Sequence, residues 1–174
     1  MIIGAGIPHP LLQLGFPKLP EAGSSAQFDL LREWLSGCDG TISHRCKPES
    51  NVKLPTRVID VGDINSNLLR LHDPQPGDDT RYITLSHRWG SDIPLQTLKG
   101  NLNTLKETIN FNDLPKTFRD AVTITREVKV RFLWIDSLCI IQDDEEDWAK
   151  GGDVNGECFQ LCLLYNCRLL CAWY

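Results

Sequence analysis

Two short polar clusters carry the residue types that acid–base and nucleophilic chemistry needs. Ser86-His87-Arg88-Trp89 ends the β-type run that starts at Tyr82, and Asp136-Ser137-Leu138-Cys139 follows the apolar run Val130-Arg-Phe-Leu-Trp-Ile135. His87, Cys139 and Asp136 are the types of a base, a nucleophile and an orienting carboxylate. A thiol followed at once by Ile140-Ile141 is more often a small buried hydrophobe whose pKa nothing lowers, so a cysteine hydrolase is the lesser reading. The second cluster runs on through Gln142 into five consecutive acids, Asp143-Asp-Glu-Glu-Asp147. Such a run offers oxygen ligands to a divalent cation, but no Ca²⁺-loop spacing or glycine hinge accompanies it. It reads as the first turn of a helix, where carboxylates meet the positive end of the dipole. Cys38, His44 and Cys46 are zinc-ligand types at gaps of five and one. Structural zinc sites take four ligands from paired short spacings, so this segment reads as a loop with ordinary thiols and no metal is expected. Gly4-Ala5-Gly6 lacks a preceding strand and has His9 where a dinucleotide fingerprint carries its third glycine.

The elements that must position these clusters are legible from periodicity. A helix starts behind a serine cap near Ser25, with Phe28, Leu31, Trp34 and Leu35 at helical spacing and Gly37 closing it. β-type runs cover 57–61 and 68–71, and a turn-rich loop covers 73–79. The spacing of Leu102, Leu105 and Ile109 predicts a helix from Asn101. A stronger helix is expected over 117–129. There Thr117 and Asp120 have capping-box spacing behind Pro115, and Phe118, Ala121, Val122, Thr125 and Val128 share one face, opposite Arg119, Asp120, Arg126 and Glu127. Strand, helix and a nearly unbroken apolar strand make a parallel βαβ unit, with 82–90 beside 130–139 and a right-handed crossover. Ligand crevices of open parallel sheets lie beyond the carboxyl ends of strands. Ser86, His87, Trp89 and Gly90 should therefore meet Asp136, Cys139, Gln142 and Asp143 across one crevice.

The 174 residues suit one domain with a real core. A net charge of −5 leaves no basic stripe, so neither nucleic acid nor an anionic membrane is an expected partner. No apolar run approaches the roughly 20 residues that span a bilayer. The N-terminal residues show no basic or hydrophobic signal region, and an odd count of seven cysteines does not read as a disulfide framework. The expected setting is cytoplasmic and reducing.

Three ordered segments, Tyr82-Ile-Thr-Leu-Ser-His-Arg-Trp-Gly90, Leu114-Pro-Lys-Thr-Phe-Arg-Asp-Ala121 and Leu133-Trp-Ile-Asp-Ser-Leu-Cys-Ile-Ile-Gln-Asp143 with Glu146-Asp147-Trp148, closely resemble the fungal heterokaryon incompatibility (HET) domain. Leu54-Pro-Thr-Arg-Val-Ile-Asp60 and the Cys38, His44, Cys46 group resemble the segment that commonly precedes it. Departures are Arg88, where a cysteine is more usual, and Lys129, where a glycine often precedes the strand. The resemblance implies nonself recognition in a filamentous fungus, a form of innate immunity that ends in growth arrest and programmed cell death. It implies an α/β fold, an open, mostly parallel sheet with flanking helices like that of TIR or flavodoxin-like domains, here incomplete at the C-terminus. It also implies protein partners and homotypic assembly. Some TIR domains cleave NAD with a glutamate, which makes Glu145 and Glu146 the candidates for an alternative, enzymatic reading with NAD; the adaptor reading needs no cofactor.

The organisation expected is a poorly ordered leader (1–25), a helix and Cys/His loop (26–53), a partial HET domain (54–150) and a tail (151–174). In the family the acidic helix continues as Lys-Glu-Ala-x-x-Met-Gly-x-Val-Phe-x-x-Ala-Tyr-x-Thr-Ile-Ala-Ala. Back-translating the tail and reading one base later permits that motif throughout. Residues 151–174 are therefore expected to be an out-of-frame or mis-spliced translation, which makes the domain truncated. A zinc tail built on Cys158, Cys162, Cys167 and Cys171 lacks any C-x₂-C spacing.

Overall fold

The computed structural model describes residues 20–40, 54–85 and 95–151. Helix α1, Ser25–Gly40, begins with a reciprocal cap: the Ser24 hydroxyl accepts from the Gln27 amide at 3.3 Å, and Gln27 Oε1 accepts from the Gly23 amide at 2.6 Å. Phe28 and Leu30 of α1 are buried. Arg32 fastens the helix to the rest of the chain by donating to the Glu127 carbonyl at 2.6 Å and pairing with its carboxylate at 3.2 Å.

Five strands follow: β1 Val58–Asp60, β2 Leu68–His72, β3 Tyr82–Leu85, β4 Ile109–Asn110 and β5 Phe132–Ile135. They form one open sheet in the order β3-β5-β1-β2-β4. β3 and β5 run parallel, with Tyr82 opposite Phe132 and Leu85 opposite Ile135. The connection between them carries α2, Leu102–Glu107, and α3, Lys116–Glu127. β1–β5, β1–β2 and β2–β4 are antiparallel. The link from β1 to β2 is too short for a crossover, which parallel neighbours require, so these two must form a hairpin. The α/β class, the open sheet and its flanking helices are those expected; the sheet is not mostly parallel but mixed, with one parallel pairing, β3–β5, and three antiparallel ones, because β1 and β2 form a hairpin.

β5 is the centre of the core. All four of its residues are buried, as the unbroken apolar run predicts for a strand covered on both faces. α3 buries Phe118, Ala121, Val122 and Thr125, the face its periodicity assigns, and Thr125 returns its hydroxyl to the Ala121 carbonyl at 2.7 Å. Four local expectations are corrected. Gly37 does not close α1, which continues through Cys38 to Gly40. The strand expected over 130–139 ends at Ile135, and Asp136–Cys139 form a helical turn. The Thr117/Asp120 capping box does not form: α3 starts one residue earlier, Pro115 is its N-cap, and Asp120 pairs instead with Lys116 at 2.6 Å. The helix expected to include Ile109 stops at Glu107, because Thr108 turns extended and Ile109 pairs with Leu69 as β4. The β-branched Thr108-Ile109 pair favours that outcome.

α3 ends in a Schellman motif. Val130 N–H donates to the Thr125 carbonyl and Lys129 N–H to the Arg126 carbonyl, each at 3.0 Å, with Lys129 in the left-handed region at φ 60°. Glycine is the usual occupant of that position because it has no Cβ to clash.

Candidate functional site

The carboxyl end of the parallel β3–β5 pair is built from residues 136–151. β5 passes directly into the single turn α4, Asp136–Cys139, and then through a bridge at Ile141 into helix α5, residues 145–151. Thr97 comes from the segment before α2 and is fully buried against this turn. It donates its amide to the Ser137 carbonyl at 3.0 Å and its hydroxyl to the Leu138 carbonyl at 2.6 Å. Gln142 locks the same turn from the other side. Its amide donates to the Thr97 carbonyl at 2.8 Å, its side chain donates to the carbonyls of Asp136 (3.1 Å) and Ile140 (2.9 Å), and its own carbonyl accepts from Trp148 Nε1 at 3.2 Å. A short irregular turn at a sheet end must satisfy its backbone polar groups somewhere, and Gln142 and Thr97 supply the partners.

The acidic run divides into distinct roles. Asp143 accepts from the Lys99 amide at 2.8 Å. Asp144 is the N-cap of α5: its Oδ1 accepts from the amides of Glu146 (3.1 Å) and Asp147 (3.3 Å), and it pairs with the Lys99 ammonium at 3.2 Å. The Lys99 contact and these amides hold the Asp144 carboxyl below its usual range. Glu145 and Glu146 are exposed. Asp147 turns inward, where it accepts from the Ile141 amide at 2.7 Å and forms a buried ion pair with Arg57. Arg57 also donates Nε to the Cys139 carbonyl at 3.1 Å. α5 lies flush on the turn: a Cβ on Gly151 would stand 2.5 Å from Ile140 Cδ1. The space left between Arg57, Trp134, Cys139 and Gly151 is about 10 Å³, room for one water at most.

Among the sequence candidates, Asp136, Cys139, Gln142 and Asp143 thus share one end of the sheet, with Glu145 and Glu146 on the adjoining helix. Ser86, His87, Trp89 and Gly90 lie outside the described residues, as do His44, Cys46 and the cysteines of the tail. The Cys139 thiol is 2% exposed and packs against the β5 backbone, 3.5 Å from the Ile135 amide and 4.0 Å from the Leu133 carbonyl. That is the environment of a structural thiol. Asp136 spends its Oδ1 on the Ser137 amide at 2.7 Å. Among the described residues, no group of three or more His, Cys, Asp or Glu could hold a metal ion.

Sequence reasoning missed the Arg57–Asp147 pair and the part played by Thr97. The five acids looked equivalent. Their one distinguishing signal is that Asp147 stands three residues after the N-cap Asp144, which turns it back toward the strand that precedes the helix.

Against this geometry stands one decisive comparison: residues 82–160 match the model of the family described as Heterokaryon incompatibility protein (HET). Over these residues the chain is similar to the heterokaryon incompatibility domain. The HET match takes in β3, α2, α3, β5 and the whole Asp136–Gly151 turn and helix, and it runs past Lys150, where the sequence reading drew its boundary. No curated protein and no solved structure matches the chain. The match supports a role related to heterokaryon incompatibility. No helix among the described residues is long and apolar enough to cross a membrane.

Proposed function

We propose that this HET domain is a signalling module of nonself recognition in a filamentous fungus, that it promotes programmed cell death, and that it acts in the cytoplasm through protein partners and homotypic assembly rather than by turnover. The observation that carries the reading is the family match over 82–160, whose signature at the end of β5 is used structurally. Gln142, Thr97 and Asp147 spend their polar groups on the turn itself, the Cys139 thiol is buried, and the enclosed space nearby holds a single water at most. A scaffold of this kind suits contact better than chemistry.

A TIR-like NAD-cleaving enzyme remains the second reading, because Glu145 and Glu146 are exposed carboxylates at the sheet end where such folds place ligands. Two measurements separate them. Conditional expression in hyphae of the domain with its tail restored to the shifted frame is expected to arrest growth, whereas the chain with residues 151–174 as they stand is not. The purified domain incubated with NAD is expected to leave it intact. NAD consumption that is lost in Glu145→Gln or Glu146→Gln would replace the adaptor reading with the enzymatic one.

A further inference from the structure

The end of the sheet opposite the HET turn carries an open cleft of about 480 Å³, where β1 ends and β5 begins. Its walls include Asp63, Ile64, Arg126, Lys129, Val130 and Arg131. The volume falls in the range of binding pockets, roughly 300–1,000 Å³. Its lining sets three basic side chains, Arg126, Lys129 and Arg131, against the two acids Asp60 and Asp63, a small positive excess on a chain that is negative as a whole. Asp60, also in the wall, is already matched by Arg131 at 2.9 Å and Arg70 at 3.3 Å. Arg126 gives its guanidinium to the Val61 carbonyl at 2.8 and 2.5 Å, lies 5.6 Å over the Phe111 ring, and feels the Asp63 carboxylate as its opposing charge, which leaves Lys129 as the unmatched cation of the rim. Lys129 is exposed and forms no ion pair among the described residues. Ile64, 54% exposed, adds an apolar wall. Lys129 also occupies a left-handed position that costs a side chain about 1 kcal/mol, so a cation is kept on the rim where glycine would be more stable.

The far end of β5 carries the complement. Glu145 and Glu146 are exposed at the start of α5, and Trp148, one turn on, is 40% exposed. Its indole N–H is tied to the Gln142 carbonyl, so the ring is held in one orientation before any partner arrives. A large aromatic ringed by charges is the usual anchor of a protein interface.

We propose that Trp148 of one copy, flanked by Glu145 and Glu146, seats in the Arg126–Lys129 cleft of the next, so that the chain assembles head-to-tail. The proposal deepens the assembly reading above and rests on it. The two surfaces differ and lie at opposite ends of one strand, so the contact is heterologous: each bound copy leaves one cleft and one Trp148 face unfilled, and the assembly propagates instead of closing as a dimer. Charge matching across the rim makes association weaken as salt rises.

The test is sedimentation of the full 174-residue chain at increasing concentration and at low and high ionic strength. Wild type is expected to form a ladder of oligomers that shortens in high salt. Lys129→Glu disables the cleft, and Trp148→Ala combined with Glu145→Lys and Glu146→Lys disables the anchor. Each variant alone is expected to self-associate at least about tenfold more weakly. Mixed, they should give a heterodimer and nothing larger, because the first keeps its anchor and the second its cleft. Lys129→Gly removes the charge while relieving the backbone, so weaker association in that variant cannot be ascribed to misfolding. A monomeric wild type, undiminished association of Lys129→Gly and Lys129→Glu, or a mixture that stays monomeric would each overturn the proposal. Growth arrest by the monomeric variants of the frame-restored domain would remove assembly from the signalling reading, whereas association of that domain without growth arrest would leave the interface standing and remove the signalling role.

Discussion

Replacing Arg57 by Leu would leave Asp147 as a buried carboxylate without its cation and the Cys139 carbonyl without its donor. The two residues of the pair are 7% and 9% exposed, so water can do little to compensate. Removing one member of a buried ion pair typically costs about 3–5 kcal/mol, and an orphaned buried acceptor about 1–3 kcal/mol on its own account. Domains have only about 5–15 kcal/mol in total. Arg57→Leu should therefore remove a third or more of the stability, and at roughly 2–4 °C per kcal/mol for a chain this long the melting temperature should fall by about 6–20 °C. Asp147→Leu should do similar damage by stranding Arg57 and the Ile141 amide. The double variant removes both charges together and should lose no more than either single one, a coupling of about 3 kcal/mol. Urea unfolding followed by tryptophan fluorescence reads all three. Single-variant losses under about 1 kcal/mol, or a double variant whose loss is the sum of the two, would refute the view that this pair clamps the HET turn to β1.

Three further outcomes are expected. Lys129→Gly should stabilise the chain by about 0.5–1 kcal/mol and raise the melting temperature by roughly 1–4 °C, since it relieves the left-handed lysine at the end of α3; a melting point that falls would contradict the cap geometry. Burial pushes the Asp60 carboxyl up, but hydrogen bonds from Arg131 and the Gly62 amide and the charge of Arg131 outweigh it, so its pKa is depressed in the fold. A depressed carboxyl stabilises the fold above its unfolded pKa, near 4, and loses that contribution as pH falls through the folded value, so Asp60→Asn should flatten the acid limb of a stability–pH curve. Peptide-resolved maleimide labelling should find Cys139 unreactive in the native chain and reactive in urea, and rapid native labelling would revive the nucleophile.

What was legible in the sequence follows physical range. α3 and β5 were readable because their signals are local: an apolar face at helical spacing, and four apolar residues in succession. The pairing of β3 with β5 followed from the helix between them. Ile109 was misassigned because an apolar residue at the end of a helical repeat looks the same whether the chain continues coiling or turns extended to meet Leu69. The Thr117/Asp120 spacing was equally ambiguous, since Pro115 starts α3 without a side-chain cap. The hairpin that inserts β1 between β5 and β2 left no mark in periodicity. Arg57 and Asp147 are 90 residues apart, and nothing in either neighbourhood announces the other. The same holds for the cleft, whose walls come from the end of β1 and the α3–β5 junction.

The most direct measurement of the central claim is hyphal death when the domain with its tail restored to the shifted frame, and the Arg57→Leu variant of that domain, are induced in a filamentous fungus to equal soluble levels, scored by vital-dye entry into individual compartments. The account predicts arrest and dye entry with the frame-restored domain and a clear loss of both when the turn at the end of β5 is unclamped. A frame-restored domain that leaves hyphae growing, or an unclamped one that kills them equally well, would contradict it.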